Sequence, residues 1–174
     1  MEWRDLVIDG YGRIFDALKE NLKGLAQKDL DWQPKPDCNS IGWTAWHLTR
    51  GQDAEIAGLL GEEQLWTTEG WHKKFHRPAD PYDTGYGHTD KDVAAFKSPD
   101  VKTLLAYHKA VMERTQGYLK SLTTKELTRV LDEDYTPKPT VAVRIVSVMA
   151  DELGHAGEID YLHGLLKGKG WLGY

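Results

Sequence analysis

The amino-acid sequence predicts an all-α protein, a four-helix bundle with a long aromatic-rich connection between its second and third helices. Three observations lead there. Apolar residues recur at spacings of three and four over four separate segments, the stripe that an amphipathic helix turns toward a core. No segment alternates apolar and polar residues over more than a few positions, as a half-buried strand would. Proline, glycine and N-capping residues punctuate the chain between the periodic segments, and a bundle is the simplest packing of four such helices.

The first helix is expected from Glu2 to about Leu25, where Trp3, Val7, Tyr11, Ile14, Leu18, Leu22 and Leu25 form one stripe. A connector with Pro34 and Pro36 follows, and Asn39 or Ser40 offers the N-cap of a second helix running to about Leu60. The third helix begins near Pro99 and Asp100, with Val101, Leu104, Leu105, His108, Val111, Met112, Thr115, Tyr118, Leu119 and Leu122 on one face. A further turn is expected over residues 125–131. Pro137 and Pro139 cannot lie inside a helix, so the fourth begins near Thr140 and runs to about Lys167, where Gly168 and Gly170 end it. Its stripe reads Val141, Ile145, Val148, Glu152, His155, Ile159, Leu162 and Leu166, an apolar seam interrupted by ionisable groups.

Residues 61–100 depart from the bundle pattern. They carry Trp66, Trp71, Phe75, Tyr82, Tyr86 and Phe96 among several glycines and prolines. A connection this long is usually functional or disordered, and its aromatic content argues against disorder. It is expected to pack over one end of the bundle as a lid or pocket wall, with Trp43, Trp66 and Trp71 as anchors.

Composition narrows the function classes. The chain has 174 residues, 40% hydrophobic and 28% charged, so residues 1–174 are read as one domain. A net charge of -5 provides no basic surface for phosphate contacts, which argues against a nucleic-acid partner. The first residues, Met1-Glu2-Trp3-Arg4-Asp5-Leu6, lack the features of a signal peptide. No run of ~18 apolar residues spans a membrane, so a cytoplasmic location is expected. Cys38 is the single cysteine, which excludes an intrachain disulfide and a cysteine-rich zinc module. Without an activating base nearby in sequence it reads as a small loop residue.

Two distant segments carry the chemistry. Asp151 and His155 stand at i and i+4 on one helix face, one turn apart, so both reach a single ion. His47 on a facing helix completes a set of two imidazoles and one carboxylate. A lone histidine on a buried helix face is usually a satisfied core residue. Here Asp151, Glu152 and Glu158 flank His155 within a turn, and burying that many ionisable groups requires a cation or a strong hydrogen-bond network. Beside His47, Ser40, Gly51, Ala54 and Gly58 leave either room for close helix packing or a cavity. His72, His76 and His88 are expected to be exposed loop residues unless the loop folds over the site. His108 is expected in the core, and His163 faces away.

The segment Asn39-Ser40-Ile41-Gly42-Trp43-Thr44-Ala45-Trp46-His47-Leu48, preceded by Trp32-Gln33-Pro34 and continuing to Arg50, resembles the second-helix motif of the DinB/YfiT-like superfamily. His155-Ala156-Gly157-Glu158 is similar to that family's closing motif on the last helix. The family is a set of four-helix proteins that includes thiol-dependent transferases and the metal-binding domain of mycothiol-dependent maleylpyruvate isomerase. Its pattern is three histidines on a divalent metal, one from helix two and an H-x-x-x-H pair from helix four. His47 and His155 match two positions, and Asp151 stands at the third.

The resemblance implies a metal-dependent enzyme acting on a small molecule, with a low-molecular-weight thiol as the activated species and S-transfer or isomerisation as the reaction. His47, Asp151 and His155 are the expected ligands, with Glu152 as the other candidate carboxylate ligand. Zinc is the first choice and nickel or iron(II) also suit the set. Glu152 and Glu158 are the acid–base candidates. A metal-dependent hydrolase is a close variant, a metal- or small-molecule-binding bundle without turnover is another class, and a purely structural polar core is a third. The resemblance also implies a homodimer.

Overall fold

A computed structural model describes residues 2–168. Four long helices dominate it: α1 (Trp3–Leu22), α3 (Ile41–Leu60), α7 (Val101–Ser121) and α8 (Val141–Lys167). Short helices fill the connections: α2 (Gln27–Leu30), α4 (Leu65–Thr68), α5 (Trp71–Lys74) and α6 (Asp90–Ala95), with a 3-10 turn at Glu126–Thr128. Among the described residues there is no strand, only an antiparallel bridge between Val130 and Thr140. The chain is therefore all-α, as its periodicity predicts.

The helix starts follow from local chemistry. Ser40 Oγ accepts the amide of Trp43, Asp100 Oδ1 that of Thr103, and Thr140 Oγ1 that of Val143, each covering an amide that the first turn leaves without a partner. At its other end α1 stops at Leu22, three residues before the expected limit. Lys23 turns to extended backbone and Gly24 takes a φ of 74°, a left-handed conformation that glycine adopts without steric cost. Leu25 is still buried, from the connector rather than from the helix. The C-terminus of α8 falls at Lys167 with Gly168 beyond it; Gly170 lies outside the described residues.

Around the bundle α3 packs on α7 and α8, and α1 packs on the same two helices. Two apolar clusters result. One gathers Leu18, Leu22, Trp43, Trp46, Tyr107 and Ile159 with Trp66, Trp71 and Phe75 from the long connection. The other gathers Tyr11, Ile14, Ile56, Leu119, Val141, Ile145 and Val148. Between them in chain position lie Thr49 and Gln52 of α3, His108 and Thr115 of α7, and Glu152 of α8, all buried. His108 donates from Nδ1 to Thr49 Oγ1 at 3.1 Å and stacks on Phe15. Gln52 Nε2 donates to Thr115 Oγ1 at 2.9 Å.

Residues 61–100 close over the end of the bundle that holds the tryptophans. Trp66 packs at a tilt against the rings of Trp46, Phe75 and Tyr107, so most of the connection's aromatics are interior rather than displayed. Only Tyr82 and Tyr86 of the connection's large apolar residues stay exposed. Fully burying side chains of this size contributes several kcal/mol each to stability, with truncation to Ala costing about 3–5 kcal/mol.

Candidate metal centre

His47 occupies the second turn of α3, half-buried against α8. Its Nδ1 donates to the carbonyl oxygen of Thr84 at 2.5 Å. Trp43, one turn earlier, lies nearly parallel to the imidazole, with ring centroids 4.8 Å apart at 19°. Across the helix interface His155 meets His47 edge-on, the ring centroids 4.8 Å apart at 80°. His155 Nδ1 donates to Glu158 Oε2 at 2.8 Å, and its Nε2 stands 3.7 Å from Asp151 Oδ1. One ligand atom from each of His47, Asp151 and His155 falls within 4.8 Å of the others.

Tautomers follow from these bonds. A carbonyl and a carboxylate only accept, so both Nδ1 atoms carry a proton, and Nε2 is the nitrogen each ring has left to offer a ligand bond. Burial pushes the His47 pKa down, against the opposing effect of the Thr84 bond, and holds the ring neutral. The hydrogen bond to Glu158 raises that of His155, and the same bond lowers that of Glu158.

The chemistry of the set fits a divalent ion. Tetrahedral zinc holds imidazole nitrogen at about 2.0–2.1 Å, which puts neighbouring ligand atoms ~3.4 Å apart. The observed cluster needs only small side-chain adjustments to reach that spacing. Each imidazole already has its outer nitrogen engaged by a carbonyl or carboxylate, the arrangement that orients metal-ligating histidines.

Beside the cluster opens a cleft of about 340 Å³, lined by His47, Gly51, Glu55, Thr84, Arg144 and Asp151 among others. A Cβ added at Gly51 would meet nothing within 4 Å. Of the two expectations for the small residues near His47, an opening applies at Gly51 and close helix packing does not. Arg144 pairs with Glu55 at the cleft margin.

Glu152 does not join this cluster. It is 1% exposed, and neither carboxylate oxygen has a hydrogen-bond partner among the described residues. It faces the core near Tyr11 of α1, and burial pushes its pKa well up. Glu158 does reach the site, through His155.

The remaining histidines have other partners. His88 accepts from Trp43 Nε1 at 3.1 Å and donates to Asp83 Oδ1 at 3.0 Å. It approaches the centre through the folded-over loop without entering the ligand set, and it is half-buried rather than exposed. His72 Nδ1 donates to the Trp66 carbonyl and His163 Nδ1 to that of Asn21. His76 is exposed, with a φ of 53°.

Thr84 and Asp83, which supply the second layer around His47 and Trp43, have no signature of their own in sequence. Arg50 and Asp53 do have one: opposite charges three apart on a helix whose other residues are mostly apolar or small. Both are 0% exposed. Asp53 accepts the amides of Leu65 and Trp66 and the hydroxyl of Tyr107.

The chain matches the DinB superfamily over residues 12–159, most of its length, and it belongs to that family. Its fold is similar to that of a crystal structure described as the conserved protein of locus from Enterococcus faecalis, with a TM-score of 0.90 and 28% sequence identity over 97% of this chain and 99% of that one. No curated protein matches the chain. Among the described residues no helix is long and apolar enough to cross a membrane.

Proposed function

We propose that His47, Asp151 and His155 bind one divalent cation, zinc before nickel or iron(II), and that the protein is a metal-dependent enzyme acting on a small molecule. The observation that carries this reading is the convergence of one ligand atom each from two imidazoles and a carboxylate beside an open cleft, with both Nδ1 protons already engaged. A divalent ion there supplies Lewis acidity, lowering the pKa of a thiol or water toward neutrality or polarising a carbonyl. The reaction class most consistent with the family is S-transfer or isomerisation with a low-molecular-weight thiol, and hydrolysis is a variant of the same site.

Each residue has a role in this reading. His47 and His155 each offer Nε2 to the ion, Asp151 adds charge compensation, and Glu158 orients His155 and serves as the acid–base group. Glu152, also an acid–base candidate on sequence grounds, is buried in the core and does not line the cleft. Gly51 keeps the approach to His47 open. A thiol-transfer assay on zinc-loaded protein tests the reading: wild type turns over and His47→Ala does not. Equal rates in both would sink it.

A second reading, metal or small-molecule binding without turnover, is favoured by one feature. Asp151 stands where the family pattern has a third histidine, and a harder oxygen ligand changes the metal's electronics. Zinc binding with no transfer, isomerase or hydrolase activity would decide for it.

We also propose that the protein is a cytoplasmic homodimer. Support for the dimer comes from α8, whose outer side exposes Val143, Val146, Leu153, Tyr161 and Leu165, an apolar face of the kind that interfaces cover. Sedimentation would report the mass, and Leu153→Glu should yield monomer. Support for the cytoplasm is the single cysteine, Cys38, which is free.

A further inference from the structure

Residues 77–88 cross the mouth of the metal centre as a strap, and one buried guanidinium fastens it. Arg50 Nε donates to the carbonyl of Asp83 at 3.1 Å, and Nη2 to the carbonyls of Pro81 at 3.1 Å and Asp80 at 3.5 Å. Its Nη1 reaches Gln64 Oε1 at 2.7 Å, and Gln64 in turn donates to Pro81. The next carbonyl along the strap, that of Thr84, is the one that takes the Nδ1 proton of His47. The Asp83 side chain extends the same hold, because it accepts from His88, and His88 accepts from the Trp43 indole that lies on the face of His47. The strap thus meets the edge of one imidazole directly and holds the Trp43 ring that covers its face.

The next residue of the strap is close to the same edge. Gly85 has a φ of 92°, and a Cβ there would lie 2.8 Å from His47 Nδ1, 2.9 Å from Trp43 and 3.0 Å from Trp46. Only a residue without a side chain lets the backbone approach this near. An Arg with no exposed surface requires a counter-charge, and Asp53 provides it with Nη1 to Oδ2 at 3.7 Å. The planar guanidinium, with five N–H donors in fixed directions, suits several backbone carbonyls at once, whereas an ammonium does not.

We propose that Arg50 is a positioning residue for the metal centre: by pinning the carbonyls of Asp80, Pro81 and Asp83 it sets the Thr84 carbonyl on His47 Nδ1, and so fixes the imidazole in the tautomer that presents Nε2 to the ion. The proposal rests on the metal-binding reading for its consequence, but not for its geometry. Losing an outer partner of a ligating histidine typically costs about 10–100-fold in metal affinity.

The test uses proton–nitrogen correlation spectra of isotope-labelled histidines in the metal-free full chain, together with zinc titration. In wild type His47 carries its proton on Nδ1. Arg50→Lys keeps a positive charge for Asp53 but loses the fork; His47 is then expected to become a tautomer mixture and zinc affinity to fall about 10–100-fold, while His155 keeps its Nδ1 proton on Glu158. A role confined to stability would lower the melting temperature and leave the His47 tautomer alone. Gly85→Ala, which retains Arg50 and every ligand, is expected to push the strap off His47 and produce the same signature, and it serves if Arg50→Lys does not fold. An unchanged His47 tautomer with zinc affinity within about twofold of wild type, in a folded Arg50→Lys or in Gly85→Ala, overturns the proposal. A tautomer shift in a protein that never binds zinc keeps the strap and removes the metal reading instead.

Discussion

Asp151 and Glu152 are neighbours on one helix and lie in opposite environments. Successive residues of an α-helix point ~100° apart, which here sends Asp151 toward His47 on α3 and Glu152 into the core beside α1. Asp151 is exposed and sits with two histidines in a gathered cluster. Glu152 is buried with both oxygens unpartnered among the described residues, and shares the middle layer of the bundle with His108, Thr49, Gln52 and Thr115. The difference separates two meanings of an ionisable group in a bundle. One set lies at a cleft with its outer Nδ1 protons engaged. The other is held neutral by burial.

Several substitutions would break or sharpen that contrast. The largest expected effect is on the cleft side: His47→Ala should lower zinc affinity about a thousandfold, ~4 kcal/mol, in isothermal titration. The fold should be unaltered by circular dichroism, because the removed ring borders a cleft.

On the core side the clearest signature is acid sensitivity. Burial depresses the His108 pKa from 6.5 to about 4, so the folded state refuses a proton that the unfolded state accepts. Stability should therefore fall as pH drops from 6.5 toward 4, by up to about 3 kcal/mol in urea denaturation. A His108→Gln variant should lose that slope.

Next in size, Glu152→Leu should raise stability by about 1–3 kcal/mol, since it replaces a buried carboxyl without hydrogen bonds by an apolar chain. Zinc affinity should not move. A loss of zinc binding in that variant would merge the two regions and undo the distinction between them. The smallest effect belongs to the outer partner of His155: Glu158→Gln should weaken zinc about tenfold, with stability nearly unchanged.

Much of the bundle was legible because its helices announce their ends. Ser40, Asp100 and Thr140 are capping residues in sequence and in structure, and the stripes of α1 and α7 supply the buried faces. Other features were not legible, each for a physical reason. The helices of four to six residues between α3 and α7 are too short to show a 3.6-residue period. On α8, apolar residues occur nearly all round the helix, so a stripe containing both Glu152 and His155 gave no means of telling the face toward α1 from the face toward α3. Asp151 and His155 stood out because polar groups at i,i+4 are unusual on such a helix, and His47 because it lies on a facing helix among small residues. Thr84 did not, because what it contributes is a backbone carbonyl, and any residue has one. Arg50 and Asp53 are opposite charges three apart on α3, but most of their partners lie far away in sequence, in the connection, and Tyr107 lies on α7.

The central claim is that two imidazoles and one carboxylate from α3 and α8 hold a single divalent ion. Anomalous scattering from a zinc-soaked crystal tests it most directly. The account predicts one strong peak bonded to Nε2 of His47, Nε2 of His155 and the Asp151 carboxylate, with open coordination toward the cleft beside Gly51. No peak there in fully soaked crystals, or zinc bound through other side chains, would contradict it.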